Sequence, residues 1–164
     1  MVPEYSERIS SDRTEALFLV LTLLCLLLTI WRLNAAGLDT MAMIFLFLCV
    51  FCMFYSLNYR TLNIRLSADH LELKFGLFTW VVALDNVEDC FLDDTSLWRI
   101  GGAGIHFSPI HGRYRAMFNF LEYPRVVIAL KRKLGLVRDI AFSTQRPDEL
   151  VEKIRSVASL KPNG

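Results

Sequence analysis

Several residue groups in this chain have the types and spacing that could do chemistry. Gly101-Gly102-x-Gly104 has the glycine density of a phosphate cradle. A P-loop needs Lys-Ser/Thr after its glycines and a helix behind them; here Ile105-His106-Phe107, a strand-like run, follows. His106 and His111, with Cys90 and scattered acids, could collect zinc. Only Phe-Ser-Pro-Ile separates the two histidines, and no Cys-x-x-Cys or His-Glu-x-x-His accompanies them. Cys49-x-x-Cys52 has a redox spacing but lies in an uncharged apolar run, where nothing generates a thiolate, so both thiols read as packing residues. Ser108-Pro109 and Ser143-Thr144 lack the strand–turn–helix setting of a nucleophile elbow. The sequence therefore assigns no catalytic residue, no metal ligand and no cofactor, and the expectation is a non-catalytic protein.

The charge distribution says more. Asp85, Glu88, Asp89, Asp93 and Asp94 follow one another with no base between them. A basic stretch then holds Arg113, Arg115, Arg125, Lys131, Arg132, Lys133 and Arg138, against Glu122 and Asp139. Lys131-Arg132-Lys133 crowns the hairpin turn expected before Leu136. These three, with Arg113 and Arg115, are the candidate contacts to lipid or a partner. A basic tip near a bilayer draws about 1 kcal/mol per charge from anionic head groups. The competing reading is a charged tip that merely keeps a strand end soluble. A third is that acidic and basic faces of neighbouring copies meet in a homo-oligomer. With a formal net charge of +1, the chain lacks the strong basic excess of a nucleic-acid protein.

What must position these groups is a pair of apolar blocks, 16–33 and 41–57, joined by a short polar turn. At 1.5 Å per residue each makes roughly 26 Å of helix, close to the ~30 Å of a hydrocarbon core. They read as a transmembrane hairpin over 12–57, preceded by a flexible polar tail over 1–11. Asp12 and Glu15 have capping-box spacing, placing the helix start near Arg13. The tail mixes Glu4, Glu7, Asp12 and Glu15 with Arg8 and Arg13, so it lacks the basic n-region of a cleaved signal. Arg8, Arg13, Arg60, Arg65 and Lys74 flank the hairpin, whereas only Arg32 lies in its turn. The positive-inside rule then puts both termini in the cytoplasm of a multi-pass plasma-membrane protein. The small-residue content of the spans is low, Ala16, Ala42, Ser56 and the cysteines among it, so no small-xxx-small face advertises helix association.

From Tyr59 the period changes to two. Leu62, Ile64 and Leu66, then Leu71, Leu73 and Phe75, alternate with polar residues, which predicts an antiparallel hairpin with one buried face. Further strands are expected at 78–84, 87–92, 105–107, 114–121, 125–131 and 136–142. Pro147 with Asp148 and Glu149 starts a helix over 147–160, whose Leu150, Val151, Ile154, Val157 and Leu160 recur at helical spacing. Residues 58–164 thus form an antiparallel β-sandwich or barrel capped by a C-terminal helix. It has Cys90 alone, so no disulfide staples it.

Four segments carry a family likeness: Leu71-Glu72-Leu73-Lys74-Phe75-Gly76-Leu77, Val82-Ala83-Leu84-Asp85-Asn86-Val87, Ala103-Gly104-Ile105, and the run from Phe142 through Ser143-Thr144-Gln145-Arg146-Pro147-Asp148-Glu149-Leu150. In this order they resemble the bacterial pleckstrin-homology-like domains that follow two membrane helices. The resemblance implies a PH-like fold serving as a scaffold or oligomerisation module. Its usual basic phosphoinositide turn is replaced here by Ser67-Ala68-Asp69-His70. The expected function is a membrane-anchored, non-catalytic scaffold or binding module on the cytoplasmic face, associating with itself, a protein partner or anionic lipid. The alternative is an accessory subunit of a larger membrane complex, recognised through its apolar hairpin.

Overall fold

A computed structural model describes residues 4–96, 102–110 and 112–158. The chain forms two compact units: Ser11–Arg60, and the residues on either side of it, Met1–Ser10 with Thr61–Gly164.

The inner unit is a pair of antiparallel helices, α1 (Asp12–Ala36) and α2 (Thr40–Asn58). Both are long and apolar enough to cross a membrane. Ser11, one residue before the expected cap, is the N-cap of α1: its Oγ accepts from the Thr14 amide at 3.0 Å. Asp12 and Glu15 instead complement the dipole of the first turn, and Glu15 pairs with Arg60 at 2.6 Å. In the connecting turn Asp39 caps α2 through the Ala42 amide and pairs at 2.6 Å with Arg32, which lies in the last turns of α1 rather than in the connection. The cysteines lie along the helix–helix seam. Ala42, Cys49 and Cys52 are buried, and the Cys49 thiol donates to the Thr22 carbonyl at 3.6 Å. Thr22 and Thr29 return their hydroxyls to carbonyls four residues back, leaving no orphan donor. Most large apolar side chains point outward, Phe47 (69 % exposed) and Leu27 (65 %) among them. An apolar surface this continuous suits lipid rather than water.

The outer unit is built from two sheets. The first runs β1 (Tyr5–Ser10), β2 (Thr61–Leu66), β3 (His70–Phe75) and β4 (Phe78–Ala83), all antiparallel. Residues 5–10 are therefore not a flexible tail. They form an edge strand in register with β2, from Tyr5↔Leu66 to Ser10↔Thr61, and the helical pair is an insertion in a β-hairpin connection. Tyr5, Glu7 and Ile9 face inward. After a 3-10 turn at Leu84–Asn86 the second sheet is made of β5 (Val87–Leu92), β6 (Gly104–Ile110), β7 (Arg113–Asn119), β8 (Arg125–Leu134) and β9 (Val137–Ser143). Its order is β5-β8-β9-β7-β6. β9 folds back between β7 and β8 and runs parallel to β7, so the expected all-antiparallel arrangement does not hold.

The sheets pack face to face without closing into a barrel. Leu62, Ile64, Leu73 and Phe75 of the first sheet and Phe118, Ile128, Ile140 and Phe142 of the second are all at most 1 % exposed. Aromatic contacts cross between the layers: Phe75–Phe120 at 5.2 Å and Trp80–Phe118 at 5.9 Å. Helix α3 (Pro147–Val157) buries Leu150, Val151 and Ile154, and Arg155 donates to the Cys90 carbonyl of β5. Leu160, predicted to continue its apolar stripe, lies outside the described residues.

Candidate functional site

The basic segment occupies the end of β8 rather than a turn. Lys131, Arg132 and Lys133 are exposed strand residues, and the turn itself is Gly135-Leu136, closed by the pair Leu134↔Val137. Gly135 has φ 64°, a conformation that costs a residue with a Cβ and suits a two-residue hairpin turn. Asn86 fixes the strand end. Its Nδ2 donates to the Arg132 carbonyl (3.0 Å), and its Oδ1 accepts from the Arg132 amide (2.8 Å), imitating one rung of a ladder. Lys131 donates to the Asp85 carbonyl, and Arg132 pairs with the Asp85 carboxylate at 3.4 Å in full solvent. An exposed pair of this kind contributes about 0–1 kcal/mol, so the segment stays available to a ligand.

Arg113 and Arg115 do not join it. Arg115 is 4 % exposed and sits in a buried ionic cluster, so it does not reach a lipid or partner surface. It bonds Asp93 at 3.2 Å and Asp139 at 3.5 Å; Arg125 bonds Asp93 at 2.9 Å and also donates to the Thr95 carbonyl. Arg113 spans Asp139 (3.3 Å) and Glu88 (3.9 Å). Three guanidiniums thus meet three carboxylates. Burial alone would raise the Asp93 carboxyl, but hydrogen bonds from Thr95 and Arg125 outweigh it and hold the carboxyl below its ordinary 3.8. The acidic and basic runs of the sequence are largely two halves of one internal network.

A second polar cluster ties β1 to the segment leading into α3. Glu7 accepts from the Tyr5 hydroxyl (2.8 Å), the Thr144 hydroxyl (2.6 Å) and the Gln145 amide (2.9 Å). The Arg146 guanidinium lies 4.8 Å from the Tyr5 ring centre, in a cation–π contact. Burial, then the bond to Glu7, pushes the Tyr5 phenol from 10.0 up to about 12. Burial likewise pushes the Cys90 thiol from 9.0 up to about 12, which leaves it inert as a nucleophile. Both groups favour the protonated form more in the folded state than in the unfolded chain. Their contribution is intact below pH 9 and is lost as the pH rises toward 12. The melting temperature of the full chain in detergent is therefore expected to fall across that window. Tyr5→Phe should flatten the upper part of the fall; an unchanged profile would refute the assignment.

The other chemistry-bearing residues have structural places. Gly102 and Gly104 lead into β6, and the Gly102 carbonyl accepts from Asn119 at 2.7 Å. Gly101 and His111 lie outside the described residues, and His106 is a β6 residue. Among the described residues no group of three or more His, Cys, Asp or Glu could hold a metal ion. The Ser143 hydroxyl accepts from the Phe120 amide, and Thr144 is committed to Glu7. The Glu7 cluster escaped sequence reading because β1 has only two inward apolar residues around a carboxylate. Comparison with protein-family models, with curated proteins and with solved structures finds no match to this chain.

Proposed function

We propose that this chain is a membrane-anchored, non-catalytic scaffold or binding module, its β unit held on the cytoplasmic face by two spans. The observation that carries the reading is the pairing of β1 with β2 around an insertion of two lipid-compatible helices. Strands that share a ladder lie on one side of the bilayer, which requires an even number of crossings between them. Arg8, Arg13, Arg60, Arg65 and Lys74 on that side, against an Arg32 already paired with Asp39, favour the cytoplasm.

The pleckstrin-homology kinship remains the best fold-level reading of the β unit. Supporting it are a four-stranded sheet packed on a second sheet, a Gly76 turn after β3, the Asp85-Asn86 turn before β5, and a closing strand that runs into a Pro147-started helix. The parallel β7–β9 pair is a departure from it. Scaffolding is supported by the open sheet edges. β4 and β6 end their sheets and carry exposed Phe78, Val81 and Phe107, a surface suited to strand addition by a partner or a second copy.

Tags at the two ends test the topology. Both are expected to resist protease outside intact cells, to be digested in inverted vesicles, and to stay with the membrane pellet in alkaline carbonate. Digestion of one tag alone from outside, or release by carbonate, would overturn the reading.

A further inference from the structure

Four strands end the two sheets: β1 and β4 in the first, β5 and β6 in the second. An edge strand offers unpaired backbone groups to any passing chain, and three of these four carry a device against that. β1 holds Glu7, a charge pointing inward, with Arg8 beside it. β5 has a bulge between Val87 and Asp89, and Arg155 of α3 donates to its Cys90 carbonyl. β6 contains Pro109, which has no amide to donate. β4 has no such device. It reads Phe78-Thr79-Trp80-Val81-Val82-Ala83, 6 residues without a charge, a proline, a glycine or a bulge.

Hairpin geometry tells which of its groups are open. A two-residue turn is closed by a hydrogen-bonded pair, here Phe75↔Phe78, and bonded pairs alternate along an antiparallel ladder. Phe78, Trp80 and Val82 therefore bond to β3, whereas Thr79, Val81 and Ala83 turn their N–H and C=O groups away from it. All three are exposed. Among the described residues no backbone group meets them on that side. Thr79, Trp80 and Val81 instead line a cleft of about 280 Å³ together with Leu134 and Gly135.

Charge selects the occupant. Exposed Lys74 stands opposite Thr79 in the ladder, and exposed Lys133 precedes Leu134, so both flank the cleft; Glu72 lies opposite Val81. A second copy of β4 brings no charge of its own. Paired about a two-fold axis, it would also set two Lys133 ends together at the cleft. An extended segment with an acid beside Thr79 meets both lysines instead.

We propose that β4 is a docking edge for an extended, apolar and acidic segment of a partner protein, which adds to the 4-stranded sheet as a further strand. Its backbone bonds Thr79, Val81 and Ala83, alternate apolar side chains cover Phe78 and Trp80, and an acidic side chain lies between Lys74 and Lys133. Docking of this kind rests on the binding-module reading above and gives it a partner class.

The test uses the full chain in detergent, read by residue-resolved amide hydrogen exchange, with synthetic peptides that alternate Val and Thr and end in Asp or in Lys. Without peptide, the Thr79 and Val81 amides are expected to exchange rapidly and those of Trp80 and Val82 slowly. The Asp-ended peptide should slow Thr79 and Val81 by at least about tenfold at saturation, and bind about tenfold more tightly than the Lys-ended one. Val81→Pro removes an outward amide without touching the β3 ladder, so it should abolish the effect at Thr79 while Trp80 stays protected. Lys74→Glu with Lys133→Glu should reverse the preference between the peptides. No slowing by the Asp-ended peptide, or equal binding of both, overturns the acidic partner. Protection of Thr79 and Val81 that rises with chain concentration and needs no peptide overturns it in favour of a second copy. Digestion of one terminal tag from outside, with peptide binding intact, overturns the membrane topology and leaves the docking edge standing.

Discussion

A chain that starts at residue 58 is expected not to fold, whereas one in which Ser10 is joined to Thr61 by Asn-Gly should be a soluble, cooperative domain. The helical pair looks like the natural place to cut, yet β1 lies on its far side. Removing β1 uncovers the space filled by Ile9, fully buried, and Tyr5, 4 % exposed. Burying two such side chains stabilises by about 3–6 kcal/mol. It also deprives the buried Thr144 hydroxyl and the exposed Gln145 residue's amide of the Glu7 carboxylate, and a hydrogen bond to a charged group contributes about 1.5–3 kcal/mol where it is buried. Domains of this size have only about 5–15 kcal/mol in total.

The loss is not only energetic. Without β1 the ladder groups of β2 become an open edge beside Leu62, Ile64 and Leu66, which invites association in register. In the joined chain a two-residue turn closes Ser10↔Thr61 as a hairpin, and the edge stays covered. Circular dichroism melts and size-exclusion profiles of the two chains decide the matter. Equal melting temperatures would show that β1 is dispensable. Glu7→Ala in the joined chain should lie between them, about 2–3 kcal/mol below its parent.

Much of this architecture is legible from residue types. The two apolar blocks, the alternation in β2 and β3, and Pro147 opening α3 each report local physics, because one face or the whole circumference of the element is apolar. β1 is not legible. Its inward positions are Tyr5, Glu7 and Ile9, and a carboxylate in mid-strand is acceptable only because Thr144 and Gln145, some 137 positions away, satisfy it. The fate of Arg113 and Arg115 is hidden for the same reason. Alternating arginines on a strand look solvated until the parallel pairing of β7 with β9 sets Arg115 against Asp139. By contrast Lys131, Arg132 and Lys133 lie on a strand that outruns its β5 partner, and their exposure follows from the charge pattern alone.

The buried network makes the sharpest prediction about the β unit. Asp93→Ala should cost about 3–5 kcal/mol, because it leaves Arg115 and Arg125 in a dry site with one carboxylate fewer than they need. Lys133→Ala, an equal change of charge on an exposed strand end, should stay within about 0.5 kcal/mol. The asymmetry follows from burial. The Asp93 side chain is 2 % exposed, so neither water nor salt can replace it. Acid gives an independent readout. The Asp93 carboxyl is held below 3.8, so its contribution is present above that value and is lost as the pH falls through the lowered one. Urea midpoints of the full chain in detergent, taken from neutral pH down to about pH 3, should therefore fall for the native sequence. Asp93→Asn should start lower and fall less steeply. Parallel curves for the two would mean that the guanidiniums find their compensation elsewhere, in Asp139 and Glu88, and that the cluster tolerates the loss of any one acid.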